Sequence, residues 1–334
     1  MEDTTRCGHG TARSATWALS PAYDKKDGEK PGRSAGMGSH FYDGLRPDGL
    51  RGGRAGGGGH RLGESIRIAT WNVGSMTGRS GEIVEVLSRR RVDVCCGQET
   101  RWKGAGTKTL GVKGKRYKFF WQGQSKAAEA GVGVFVAEKW FDKVVEVSRV
   151  NDRMMVVRMI VGERLVSIIT AYAPQSGRQD EEKEEFWDGL LKVTTGIAQG
   201  DAIVLGGDLN GHIGEKCDGY EGVHGGFGYG TRNVDGERIL EFGDAMGMVV
   251  ANTFFKRETT RLVTYESGNV KSTIDYLMVK GCDRGLVRNV KVIRGEECVS
   301  QHNLVVGDFD ITGIKKSRKK FVPKIRVWKL EIGR

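Results

Sequence analysis

Apolar and polar residues alternate in the two-residue period of a strand through IRIATW (66–71). EIVEVLSRRRV (82–92) then spaces its apolar residues as a short amphipathic helix does. VDVCCGQE (92–99) is almost continuously apolar and predicts a buried strand, whose neighbours Cys95 and Cys96 point to opposite faces. Short strand-like runs follow: YKFFWQG, GVGVFVA, DKVVEVSRV, MMVVRMIV and LVSIITAYA. Their spacing suggests hairpins and a β-sandwich rather than successive βαβ units. DEEKEEFWDGLLKVTTGIAQ (180–199) predicts a helix with Phe186, Leu190, Thr194 and Ile197 on one face and acids in its first turn. AIVLGGDLN (202–210) predicts a buried strand with a polar end, and NVDGERILEFGDAMG a second long helix. VVANTFF, LVTYES, STIDYLMV, RNVKVI and NLVVGDFD finish as strands. Long helices beside buried strands predict two packed sheets with helices on their outer faces.

Before Ser65 this patterning is lost. Residues 1–63 are rich in Gly, Ser, Arg and Lys, and hold too little apolar surface to offset ordering entropy. The expected organisation is a disordered Gly/Arg-rich leader (1–63), a folded domain (64–313) and a basic tail (314–334). Charge sharpens this division. The chain carries a formal +11, with ten Lys/Arg against seven Asp/Glu in the leader and nine against one in the tail. The domain is therefore neutral, and a polyanion would be met by local patches or by the ends. KKSRKK (315–320) fits a solvated tail and a nuclear-import or nucleic-acid role equally well. No long apolar run and no signal-peptide pattern is present, so neither a membrane span nor a leader for secretion is expected. The six cysteines form no CxxC pair, which suggests reduced thiols in an intracellular protein and no structural zinc.

The chemistry lies at strand ends. Asn72 follows the first strand, Glu99 closes the second, Tyr172 ends the long one, and Asp208 and Asn210 end GGDLN. Asp275 lies in an otherwise apolar strand, and His302 opens the last. Rigid scaffolds present functional side chains from such positions. Together these residues hold the parts for metal-assisted phosphodiester hydrolysis. A hard cation such as Mg²⁺ wants oxygen ligands, which Glu99 and Asn72 can supply. Asp208 can orient or deprotonate an attacking water, while Asn210 and Tyr172 can donate to phosphate oxygens. His302 can meet developing negative charge if a carboxylate holds its other nitrogen, and Asp275 is the candidate for that.

The motifs TWNVGSM, GQETRW, TAYAPQSG, GGDLNGHIG, STIDYLMV and SQHNLVVGD, in that order, resemble the endonuclease/exonuclease/phosphatase superfamily over residues 64–312. Within it they are similar to endonuclease domains of non-LTR retrotransposons and to craniofacial development protein 2-like proteins. The resemblance implies a four-layered, DNase I-like α/β sandwich and cleavage dependent on Mg²⁺ or Mn²⁺. It implies Asn72 and Glu99 at the metal, a phosphate-contacting Tyr172, a nucleophile-orienting pair Asp208 and Asn210, and His302 held by Asp275. FVPKIRVWKLE resembles the linker that in mobile elements leads to reverse transcriptase; no such polymerase is expected in this chain. Two acids of the family are missing: Gln301 stands where most members have Asp, and Gly74 where many DNA-repair members have an acid. Weaker metal binding is the expectation. The implied activity is nicking of one DNA strand to leave a 3′-hydroxyl, in the nucleus. The alternatives are another phosphodiesterase or phosphatase of the superfamily, and an inactive domesticated protein bound to nucleic acid or chromatin. The lysine-rich run 103–118 and the glycine-rich run 217–233 are expected to be substrate-facing loops, the second a mobile lip.

Overall fold

The computed structural model describes residues 64–124 and 130–311. The expected leader and basic tail lie outside the described residues. In chain order the elements are β1 (Glu64–Asn72), α1 (Ser80–Arg89), β2 (Val94–Gln98), β3 (Ala105–Leu110), β4 (Tyr117–Gln122) and β5 (Val132–Ala137). Then come β6 (Val144–Asn151), β7 (Met154–Val161), β8 (Arg164–Tyr172), α2 (Asp180–Thr195), β9 (Ala202–Asp208), α3 (Val234–Met246) and β10 (Met248–Val250). β11 (Tyr265–Ser267), β12 (Val270–Ser272), β13 (Asp275–Lys280), β14 (Val287–Ile293) and β15 (Leu304–Ile311) complete the set.

The strands form a seven-stranded sheet, β14-β15-β1-β2-β5-β4-β3, and a six-stranded sheet, β10-β13-β9-β8-β7-β6, with β11–β12 as a separate hairpin. The buried residues sort into three spaces. Ile68, Cys96, Val134, Val157, Ile168, Val204, Leu277 and Val305 fill the gap between the sheets. Ile83, Val84 and Leu87 of α1 cover Trp71, Cys95 and Phe135 on the outer face of the first sheet. Phe186 and Leu190 of α2 and Ile239 and Leu240 of α3 cover Ile169, Leu205 and Tyr276 on the outer face of the second. The fold is thus a four-layered α/β sandwich. Cys95 and Cys96 do face opposite sides of their strand, one toward α1 and one toward the other sheet.

The expectation of hairpins holds for most neighbours, but each sheet also has a parallel pair, β1–β2 joined through α1 and β8–β9 joined through α2. A helix long enough to cross over permits this arrangement, which the strand spacing alone did not require. It has a functional consequence: the C-terminal ends of four central strands lie at one edge, with Asn72 opposite Gln98 and Tyr172 opposite Asp208. The paired glycines before Asp208 also follow from packing. A Cβ on Gly206 would fall 3.0 Å from the Cys96 sulfur of the facing sheet, and one on Gly207 would fall 2.4 Å from the Ala171 carbonyl oxygen.

One of the two expected loops contains a strand, and the other is a loop held by its own side chains. The run 103–118 contains β3, an edge strand whose outward side chains are mostly exposed, so no buried alternation marked it. Pairing with β4 orders it, and Arg149 donates to the Gly106 carbonyl and the Thr107 hydroxyl. The run 217–233 is tied down rather than free. His224 is 1 % exposed, accepts from the Gly226 amide at Nδ1, and places Nε2 3.1 Å from the Gly214 carbonyl. Arg232 donates to the carbonyls of Ile213, Lys216 and Cys217 and lies over the Tyr220 ring.

Candidate active site

The seven residues singled out above come to one edge of the sandwich through long-range pairing. Asn72 is the last residue of β1, and its amide Nδ2 lies between two carboxylates, donating to Glu99 Oε1 at 3.0 Å and to Asp208 Oδ2 at 2.9 Å. Its Oδ1 accepts from the Gly74 amide at 3.0 Å. Tyr172, at the end of β8, donates to the same Glu99 Oε1 at 2.9 Å. Asp275 opens β13 directly opposite Asp208 on β9. His302 stands just before β15, with Nδ1 3.1 Å from Asp275 Oδ2 and Nε2 3.9 Å from Asp208 Oδ2. Asn210 is placed differently from expectation. Its side-chain Nδ2 donates to the Ala173 carbonyl at 2.9 Å, and its backbone amide, not its side chain, bonds Asp208 Oδ1.

Backbone strain accompanies this arrangement. Glu99, Arg101 and Asn210 have φ of 51°, 53° and 50° without being glycine. Such left-handed residues cost about 1–3 kcal/mol each and persist where the surroundings over-determine them. Here the turn after β2 is fixed by the Thr100 amide on the Gly131 carbonyl and the Arg101 amide on the Ala130 carbonyl.

The environment sets the charges. Burial pushes the Glu99 carboxyl up, but hydrogen bonds from Asn72, Arg101 and Tyr172 outweigh it, leaving Glu99 below its ordinary value and ionised. Burial and then the Asp275 charge raise Asp208. Burial, reinforced by the charges of Glu99 and Asp208, holds Tyr172 well above its ordinary value, so it stays a donor. For His302 burial disfavours the charged ring, yet Asp275, through charge and hydrogen bond, with Asp208 and Glu99, raises it to about 9. At neutral pH the His302–Asp275 pair presents an imidazolium toward Asp208.

The donor set suits a hard cation. Glu99 is the most open of the three carboxylates, with 13 % side-chain exposure against 2 % for Asp208 and 0 % for Asp275. Asp208, Asp275 and His302 also bring one ligand atom each within 4.8 Å of one another. In that trio the His302–Asp275 contact is already closed by a hydrogen bond, so Glu99, partly open and bonded to the buried Asn72, is the better candidate oxygen ligand. Asn72 would ligate through Oδ1, the atom now accepting from Gly74.

Several residues at this edge were not singled out in the sequence. Arg101 donates to Glu99 Oε2 at 2.8 Å, a contact that its two-residue spacing from Glu99 in the ETR run could have suggested. Tyr265 lies against His302 with ring centroids 4.8 Å apart and ring planes tilted by 59°, and Trp71 Nε1 donates to the His302 carbonyl at 3.0 Å. Thr264 Oγ1 accepts from the amides of Ile274 and Asp275 and so seats the aspartate. No local pattern announces these three. Gln301 is exposed, and its side-chain amide donates to Ser267 Oγ at 3.3 Å on the β11–β12 hairpin.

Comparison with known proteins follows the same lines. A model described as the Endonuclease/Exonuclease/phosphatase family matches residues 69–302. Craniofacial development protein 2 of Bos taurus is 28 % identical over 267 residues, covering 78 % of this chain and 43 % of that protein. The chain thus spans less than half the length of this curated relative. Among solved structures, the Xenopus laevis APE2 catalytic domain superposes with a TM-score of 0.56 at 16 % identity, covering 75 % of this chain and 94 % of that one. The endonuclease domain of TRAS1, a telomere-specific non-LTR retrotransposon, superposes with a TM-score of 0.50 at 13 % identity, covering 74 % and 99 %.

Proposed function

The chain belongs to the endonuclease/exonuclease/phosphatase family, and from that premise we propose that it is a metal-dependent DNA endonuclease of retrotransposon descent. On this reading it nicks one strand and leaves a 3′-hydroxyl. The observation that carries the proposal is the convergence of Asn72, Glu99, Tyr172, Asp208, Asp275 and His302 on one edge of both sheets, joined by direct hydrogen bonds.

Glu99, with Asn72, would hold a Mg²⁺ or Mn²⁺ ion. The ion supplies Lewis-acid polarisation of the phosphoryl oxygen and stabilisation of the leaving group. The remaining work belongs to side chains. Asp208 accepts a proton from, or orients, the attacking water, and its raised affinity for a proton suits a base at neutral pH. Asn72 and the Asn210 amide fix the orientation of Asp208. His302, charged and held by Asp275, meets the negative charge that develops on the phosphoryl oxygens. Tyr172 holds Glu99 and can redirect its hydroxyl hydrogen bond to a phosphate oxygen. The domain 64–313 would carry the chemistry, with the basic tail 314–334 adding phosphate contacts and directing the protein to the nucleus.

A second reading is a domesticated DNA- or chromatin-binding protein without activity. The acids absent at Gly74 and Gln301, and the outward turn of Gln301 to Ser267, favour it. A supercoiled-plasmid assay separates the two. The endonuclease reading expects relaxed circles with Mg²⁺ or Mn²⁺, resealable by ligase, and none with Glu99→Ala. DNA binding without nicking at any metal concentration would leave the inactive protein as the answer. Release of phosphate from a 3′-phosphorylated end without nicking would point to a phosphatase.

A further inference from the structure

We propose that Arg101 competes with the divalent cation for Glu99, neutralising the carboxylate while no cation is bound and passing to a substrate phosphate when one arrives. This rests on the hydrolase reading above. The argument starts from the valence of Glu99. Its Oε1 already accepts two hydrogen bonds, from Asn72 and Tyr172. A carboxylate oxygen has about two lone-pair directions, so Oε2 is the oxygen left for a cation. The Arg101 guanidinium sits on Oε2 at 2.8 Å.

Position makes this more than a surface ion pair. Arg101 is 48 % exposed and Glu99 13 %, so the guanidinium lies on the side from which solvent, metal and substrate arrive. The pairing is built into the backbone. Both residues occupy left-handed conformations, and the buried Thr100 between them is anchored to Gly131. A turn fixed this firmly presents the two side chains together with little freedom to part by backbone motion. The missing family acid at Gly74 gives the pair its weight. With Glu99 as the most open carboxylate, one arginine can offset most of the charge offered to an ion. A guanidinium and a divalent ion on the same carboxylate repel, so occupation by one weakens the other. A displaced guanidinium is still half in solvent beside the centre. Its planar fork matches a phosphate, which gives it a new partner once DNA is present.

The test measures Mn²⁺ binding to the metal-stripped protein without DNA, by calorimetry, for wild type, Arg101→Met, Arg101→Lys and Glu99→Gln. Far-ultraviolet dichroism and melting establish that each variant is folded. Arg101→Met is expected to bind Mn²⁺ about tenfold more tightly at low salt, the gain shrinking as salt screens the guanidinium in wild type. Arg101→Lys should fall between, because an ammonium competes for Oε2 without the planar match. At saturating Mn²⁺, Arg101→Met should show a raised KM for plasmid DNA. Unchanged or weaker Mn²⁺ binding in Arg101→Met, with Glu99→Gln still losing the ion, would make Arg101 a strut for Glu99 and leave the hydrolase reading intact. Unaltered Mn²⁺ binding in Glu99→Gln would remove the carboxylate from the metal site, and both readings would fall together.

Discussion

Asp275 is fully buried beside apolar neighbours, and among the described residues its carboxylate has one hydrogen-bond partner, His302 Nδ1. A buried carboxylate without a cationic or donor partner is costly, so the two side chains form one unit. Asp275→Asn and His302→Ala should therefore damage nicking alike, and the double variant should be little worse than either. Plasmid kinetics on all three settle this; full additivity would mean separate roles. The same pair sets a titration. Burial lowers the His302 affinity for protons, but Asp275 foremost among the acids raises it to about 9. A folded value above the unfolded one of about 6.5 gives stability that is present below pH ~6.5 and lost as pH rises through about 9. In metal-free protein the His302 ring proton resonance should titrate near 9, and in Asp275→Asn it should fall toward the ordinary histidine range. Gln301, one residue away, reads differently. Its amide faces Ser267 on the hairpin, so Gln301→Asp should leave the metal midpoint of nicking unchanged. A midpoint moved to lower Mg²⁺ would show that a carboxylate at 301 reaches the ion, as the family pattern implies.

At the scale of elements, buried side chains fix loops and strands in place. The segment 217–233 is anchored by His224, which accepts from one amide and meets one carbonyl, an arrangement that requires the neutral ring. Burial lowers its proton affinity. Protonation thus favours the unfolded chain, and the stabilisation is present above pH ~6.5 and lost as pH falls below it. His224→Ala should speed amide hydrogen exchange across 217–233 by tenfold or so while the central strands stay protected. Exchange unchanged in that segment would assign its order to Arg232 instead. Beneath the site, a Cβ on Gly206 would press on Cys96 of the facing sheet at 3.0 Å, so its neighbours must give way to any side chain. Gly206→Val should cost roughly 2–3 kcal/mol by overpacking, read as a lowered denaturation midpoint. α3 is capped by Asn233, whose Oδ1 accepts from the amides of both Gly236 and His212. This one side chain thereby caps a helix and closes the loop that follows β9.

For the molecule as a whole, the two sheets supply the edge that carries the candidate site and the chain's ends supply the charge. The tail 314–334 has nine basic residues and one acidic one, so deleting it removes most of the +11. Phosphate contacts release counterions, so the deletion should weaken DNA binding most at low salt and flatten the dependence of log K on log salt. The nicking rate at saturating DNA should change much less. Equal salt slopes for the two proteins would reduce the tail to a linker.

The sequence by itself determined the elements and the composition of the site. Buried strands, two long helices and polar strand ends are properties of a few adjacent residues, and apolar periodicity records them directly. The motifs in order were enough to resemble a family, and with it a fold of four layers. What only tertiary structure decided is who touches whom. Asn72 and Asp208 are 136 positions apart, and Tyr172 and Glu99 are 73 apart. Their contacts depend on two parallel crossovers that place four strand ends at one edge. Edge strand β3 escaped notice because a strand with one partner buries too little to leave a two-residue pattern. Tyr265 on His302, Thr264 under Asp275 and the turn of Gln301 toward Ser267 leave no local trace, since each arises from a hairpin docked against a distant strand end. Periodicity reports which side of an element meets the core; the hydrogen-bond partners of a polar strand end are fixed only when the sheets pack.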